Sequence, residues 1–363
     1  MNWILSLLIT IFLITLGFIY RKNKFVWFLQ FIWMWILMAG SNGGVDWTVH
    51  KDIFTKYSLN FKILDESWLY KMFCYPFVIN GYTFYQFNFV ISTILLLVLF
   101  HLIKKYSKNV CFVTSLIYIY PLADSIIQKR NFCALVIFLC GIFPLIYKEK
   151  RGDIKFILCT FLAAQVHMSY YLYFIIYPLI KLENKYLNKV IKNAVFLAFL
   201  CTPFIPQIAS LFVNSEKVKF YFLELKIPFY QSCCWWGVQM IFTYLFAKIN
   251  NIKNTINENL NIKTENYNEN ALKLNKIMLV FMPLYYYEPT FFRFFRNILF
   301  VNYVEASSIF DNKNTIYKNE FIIMFILVLF VILMFLSQFV FFGKGFEYLY
   351  IPIFQANSFL GRN

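Results

Sequence analysis

The 363 residues are 60% hydrophobic and only 14% charged, with mean hydropathy +0.60. That balance excludes a soluble globular domain of this length and implies an all-α, polytopic membrane protein. A formal charge of +16 would suit a nucleic-acid partner, but its distribution along the chain assigns it to a membrane face instead. Apolar runs bounded by charge predict about twelve spans. They are Trp3 to Tyr20, Phe25 to Gly40, Phe84 to Ile103, Val110 to Ser125, Asn131 to Tyr147, Ile154 to Val166, Ser169 to Ile180, Asn193 to Val213, Cys233 to Ala247, Ile277 to Tyr287, Phe291 to Phe310 and Phe321 to Phe342. The first has no basic leader and no small-residue cleavage site, so it reads as a retained helix. The pair within 154–180 is short, and reads either as two spans or as a re-entrant hairpin.

If the loop at Arg21 is cytoplasmic, 21 of the 34 Lys and Arg fall on that side. The positive-inside rule then puts both termini outside, in one integral membrane domain. Three segments lie off the spans. Residues 41–83, with Asp46, Trp47, Asp65, Glu66 and Trp68 among apolar residues at roughly helical spacing, predict an amphipathic outer loop. Residues 249–275, rich in Asn, Lys, Thr and Glu, read as a solvated cytoplasmic linker, and 343–363 as an outer tail. Eight cysteines show no paired metal spacing, three histidines and scattered carboxylates give no metal site, and no phosphate loop or nucleophile motif occurs, so neither metal nor cofactor is expected.

What stands out is a polar set on the outer face. Arg130 sits at the lip of an apolar segment, where an ionisable group marks function or snorkels to the interface. His167 lies in the break AAQVHMSYYLYF, flanked by Gln165 and Ser169. Arg293 and Arg296, three apart, can present two guanidinium forks to one anion, or pair with Glu288 or lipid phosphate. Asp46 and Glu66 read as bases, sugar ligands or ordinary solvated carboxylates. His50 and His101 read as structural. Convergence of Arg130, Arg293 and Arg296 beneath the outer leaflet would suit a lipid diphosphate.

The ordered motifs GVDW (Gly44 to Trp47), DESW (Asp65 to Trp68), IIQKRNFCA (Ile126 to Ala134), QVHMS (Gln165 to Ser169) and FRFFRNILF (Phe292 to Phe300) resemble EpsG-like membrane proteins of exopolysaccharide and O-antigen clusters. Asn131 stands where that family commonly has Gln. The resemblance implies a GT-C-like, Wzy-type repeat-unit polymerase of the bacterial inner membrane. Its donor and acceptor would be undecaprenyl-pyrophosphate-linked oligosaccharides, and a chain-length regulator is a possible partner. On that reading Arg130, Arg293 and Arg296 hold the diphosphate and His167 is the candidate base, with Asp46 and Glu66 as alternatives. Trp47 and Trp68 stack on sugars, and Asn131 is counted with Arg293 and Arg296 among the substrate-binding residues. A flippase of lipid-linked sugars, a glycan acyltransferase and a structural membrane subunit are the other classes considered.

Overall fold

Two of the α-helices begin where the sequence supplies a side-chain cap. The computed structural model describes residues 3–63, 65–211, 215–224, 227–259, 267–310, 318–342 and 345–361. In chain order the α-helices are α1 (Trp3–Ile19), α2 (Lys24–Ala39), α3 (Trp47–Asp52), α4 (Trp68–Ile79), α5 (Phe84–Tyr106), α6 (Val110–Ile119), α7 (Leu122–Ile127), α8 (Lys129–Ile146), α9 (Gly152–Val166), α10 (Ile176–Ile180) and α11 (Asn184–Leu200). There follow α12 (Ile205–Ser210), α13 (Ser215–Val218), α14 (Phe229–Asn259), α15 (Tyr267–Met278), α16 (Arg293–Arg296), α17 (Leu299–Ser307), α18 (Lys318–Leu336), α19 (Phe346–Leu349) and α20 (Pro352–Gln355). The Asn23 side chain accepts the Phe25 and Val26 N–H groups at the start of α2, and a Thr83/Gln86 capping box opens α5.

The twelve expected spans are not recovered as twelve continuous helices. Among the described residues three helices are long and apolar enough to cross a membrane: Phe84–Tyr106, Lys129–Ile146 and Phe321–Phe341. A fourth arises if Asn184–Leu200 and Thr202–Ser210, bent by 60°, count as one. Prolines explain much of the difference, because a ring without an N–H interrupts the helical ladder and restrains the residue before it. Pro121 divides Val110 to Ser125 into α6 and α7, Pro203 lies at the bend after α11, and Pro289 opens the broken run that replaces Phe291 to Phe310. Four shorter apolar helical stretches, Trp3–Ile19, Lys24–Ala39, Val110–Ile119 and Met168–Ile180, fall on other expected spans.

The chain forms two compact units. The first comprises Met1–Phe174, Tyr303–Ile316 and Val328–Asn363. Within it α1, α2 and α6 meet around Gln30, whose amide donates to Leu13 O, Cys111 O and Ser115 Oγ at 2.9–3.3 Å. Tyr118 donates to Gln30 O (2.6 Å) and Trp33 to Thr10 Oγ1 (2.8 Å). Such an approach requires Gly17: a β-carbon there would collide with the Ser115 hydroxyl and the Gln30 amide and stand 2.8 Å from Cys111 O. Gly17→Val is therefore expected to cost roughly 1–3 kcal/mol by overpacking. A lowered thermal midpoint of the purified chain in detergent checks this.

Also in the first unit, α8 and α9 form an antiparallel hairpin joined by a tight turn. A β-carbon at Gly141 would stand 2.8 Å from Cys159 Cβ and 2.9 Å from Phe156 Cα, so only glycine permits this crossing. Beyond the turn, Glu149 accepts Tyr106 OH (2.7 Å) and pairs with Lys105 (2.6 Å) and Lys155 (3.1 Å). The tail 345–361 is tied down rather than loose: Ser41 and Asn357 form an antiparallel bridge, and Asn357 Nδ2 donates to Ile36 O at 3.0 Å.

The second unit comprises Ile175–Asn302 and Tyr317–Leu327. Its core is aromatic, with Trp235 on Phe292 (4.5 Å), Phe242 on Phe295 (5.3 Å) and Phe281 on Phe294 (4.9 Å). The stretch 249–275, expected as a solvated linker, is helical through Asn259 and again from Tyr267; 260–266 fall outside the described residues. Its polar composition hides two buried apolar residues, Ala271 and Leu274, which continue at helical spacing into Ile277 and Met278 at the end of α15. Lys273 donates to Leu182 O (2.9 Å) and pairs with Glu269 (3.2 Å), which fastens α15 to the start of α11.

Candidate active site

Polar chemistry in the first unit gathers at the N-terminus of α8. This helix is the most enclosed of the long apolar helices: 83% of its apolar window is buried, against 50% for α5 and 28% for Phe321–Phe341. Gln128, with φ −93° and ψ 62°, breaks the path between α7 and α8, so α8 starts on two cations, Lys129 and Arg130. Both sit where backbone N–H groups already give the helix a partial positive charge, which makes cations unfavourable and anions favourable. Lys129 is only 8% exposed. Among the described residues neither cation forms an ion pair with a carboxylate. Lys129 Nζ rests 5.5 Å over the Trp47 ring, and Arg130 Nη1 donates to Ser67 Oγ at 3.3 Å. Arg130 Nε and Asn131 Oδ1 are buried and have no hydrogen-bond partner. Buried polar atoms in a packed protein are normally satisfied, so each asks for an explanation.

Two other elements close on this helix end. The outer loop folds as α3 and a short π-helical extension, then, after a break, as α4. Ser67, which precedes α4, holds the left-handed conformation (φ 58°) that a residue with a β-carbon adopts only at a cost of about 1–3 kcal/mol. It is this strained residue that meets Arg130. Trp68 Nε1 donates to Gln165 Oε1 (2.7 Å), and Gln165 Nε2 donates to Tyr171 OH (2.6 Å), which clamps α4 to the end of α9. There the chain leaves the helix at His167 (φ −146°, ψ 110°), whose Nδ1 lies 2.9 Å from Ser169 Oγ. Tyr170 OH then reaches back to Asn131 O at 3.3 Å. Arg130–Asn131, Ser67–Trp68 and Gln165–His167–Ser169 are thus linked by successive short contacts.

His50 completes the floor. It is buried, and its Nε2 lies 3.3 Å from Ile127 O. Burial, and then the charges of Arg130 and Lys129, push its pKa down to about 3, against the raising effect of the Ile127 carbonyl. The imidazole is therefore neutral near pH 7 and Nε2–H donates. Because the unfolded chain binds this proton near pH 6.5 and the folded chain near 3, stability falls as pH drops through that window, by up to about 2 kcal/mol at pH 5. His50→Gln is expected to flatten the decline in detergent thermal midpoint between pH 7 and pH 5; an undiminished decline would assign the acid sensitivity elsewhere.

The chain matches the model of the EpsG family over residues 24–353, a range that runs from the start of α2 into α20. The chain belongs to the EpsG family. Membership suggests a polymerase-like, glycosyltransferase-like role in polysaccharide biosynthesis at a membrane. No curated protein and no solved structure gives a significant match.

Of the residues singled out from the sequence, this EpsG-family chain brings Trp47, Trp68, Arg130, Asn131 and His167 into one connected region. Asp46 occupies the N-cap position of α3 without capping it, and Glu66 is exposed immediately before Ser67. Arg293 and Arg296 belong to the second unit. There Arg293 Nε donates to Thr290 O (2.9 Å), Arg296 is buried, and Glu288 is committed to capping Thr290. Sequence reasoning missed Lys129, counted only as a charge, Ser67, passed over inside DESW, and the proximity of His50. The signal available for Lys129 was its adjacency to Arg130 ahead of an apolar run.

Proposed function

We propose that this EpsG-family chain is a repeat-unit polymerase of the Wzy type. It would transfer an oligosaccharide from undecaprenyl diphosphate to a second lipid-linked unit at the outer face of the inner membrane. One observation carries the reading: a buried lysine and a half-buried arginine at a helix N-terminus, with no carboxylate pairing either among the described residues, contiguous with a histidine at a helix break. Burying cations without an anion is costly, and the geometry that relieves the cost is a bound anion.

The acceptor hydroxyl oxygen attacks the anomeric carbon of the donor while the bond from that carbon to the diphosphate oxygen breaks. The leaving diphosphate takes the bonding electrons, and Arg130 and the α8 N–H groups stabilise the charge it gains. The hydroxyl proton passes to His167, with Asp46 and Glu66 as alternative acceptors. Asn131, with its Oδ1 unsatisfied, is assigned to binding substrate, and Trp47 and Trp68 offer faces to sugar rings. Arg293 and Arg296 are assigned in the same proposal to binding lipid-linked substrate. No step calls on a metal or cofactor.

The length distribution of surface glycan in a deletion strain tests this. Single capped units outside, restored to long chains by the wild-type gene, are expected. Absence of any outward unit would mark a flippase of lipid-linked sugars, and chains of normal length lacking an acyl group would mark an acyltransferase.

A further inference from the structure

We infer that Lys129 is a second phosphate ligand of the same site, held on Trp47 when the site is empty, and that it makes the site selective for diphosphate over monophosphate lipids. The inference rests on the polymerase reading above and specifies how its anion is chosen. Lys129 and Arg130 are consecutive, so they leave α8 about 100° apart. Both stems are flexible, and once turned to one ligand a planar fork and a point charge offer a cation to each phosphoryl group of a diphosphate. Arg130 is already turned to Ser67, with its Nε unsatisfied. Lys129 has no hydrogen-bond acceptor and no carboxylate among the described residues; its contact is the Trp47 ring at 5.5 Å.

A cation over an aromatic face is a weaker hold than a charge-assisted hydrogen bond to a phosphate oxygen. The stem of a lysine is long and flexible enough to exchange one for the other. His50, which meets Ile127 O just ahead of the two cations, is a neutral imidazole and adds no third positive charge. Trp47 is half-buried and packs at a tilt against Phe84 (4.8 Å, 57°), so the platform stays in place when the ammonium leaves it.

The purified full chain in nanodiscs is titrated with farnesyl diphosphate, farnesyl monophosphate and inorganic pyrophosphate, as wild type, Lys129→Gln and Lys129→Arg. Wild type is expected to bind the lipid diphosphate at least tenfold more tightly than the lipid monophosphate. Lys129→Gln should lose about tenfold in diphosphate affinity while holding its monophosphate affinity, which also shows that it is folded, and Lys129→Arg should keep most of the preference. An unchanged preference in Lys129→Gln overturns the role of Lys129 and leaves the polymerase reading standing. A wild-type chain that binds neither farnesyl compound overturns both. Inorganic pyrophosphate binding as tightly as farnesyl diphosphate would show that the selection is made on the diphosphate alone, as the inference requires; preference for the monophosphate would sink it.

Discussion

Arg130→Lys is expected to reduce polymerisation on the order of 100-fold at unchanged protein level, leaving surface glycan of one or a few repeat units. The substitution keeps the charge, so a requirement for positive charge alone predicts little effect. What it removes is the planar fork: one arm reaches Ser67 Oγ, and Nε sits buried without an acceptor. If that unsatisfied donor is turned toward the leaving diphosphate, its contact strengthens as the bond breaks. The loss should then fall mainly on kcat, with KM for the lipid-linked donor changing less. Arg130→Ala should lose more, because it also strands Ser67 in a strained conformation with no partner for its hydroxyl. Normal long chains from Arg130→Lys, at normal protein level, would remove Arg130 from the mechanism.

How much of this was legible in the chain depends on the kind of signal. Hydropathy and the composition of the apolar runs announce a helical membrane protein, and α1, α2, α5 and α8 lie within a few residues of where those runs place them. Averages over such runs are blind to where a helix breaks, which is decided by single residues such as Pro121 and Pro289 and by polar side chains that compete for backbone groups. For that reason twelve apolar runs do not become twelve continuous helices. Residues 267–275 show the opposite case: Asn, Lys and Glu dominate the composition, while Ala271 and Leu274, continuing the stripe of Ile277 and Met278, are buried at helical spacing.

At the site, Arg130 and His167 were legible because each is a polar group in an apolar context. Ser67 and Gln165 act through geometry that spans about a hundred residues of sequence, as in the Trp68–Gln165 hydrogen bond, and no local pattern reports that. His50 reads as structural from its setting; burial does most to hold it neutral, and the two cations that add to that effect lie some eighty residues away.

His167→Ala is expected to lower the transfer rate by roughly 10²–10⁴-fold, the span attributed to a positioned general base. The break at the end of α9 leaves the imidazole half-buried with Nδ1 facing Ser169 Oγ at 2.9 Å. That contact admits two tautomers. In the productive one Nδ1–H donates to Ser169, so the lone pair on Nε2 can take the proton of the acceptor hydroxyl. Ser169→Ala removes the bias between tautomers without removing the base, and should therefore lose less activity than His167→Ala. The two variants also differ in pH response. Wild-type and Ser169→Ala rates should fall as pH drops into the range where an imidazole protonates, because the base must be neutral. The residual rate of His167→Ala should not follow that limb. If His167→Ala retains the acid limb, the titrating base is a carboxylate, and Asp46→Asn and Glu66→Gln become the deciding pair: whichever abolishes the limb carries the proton.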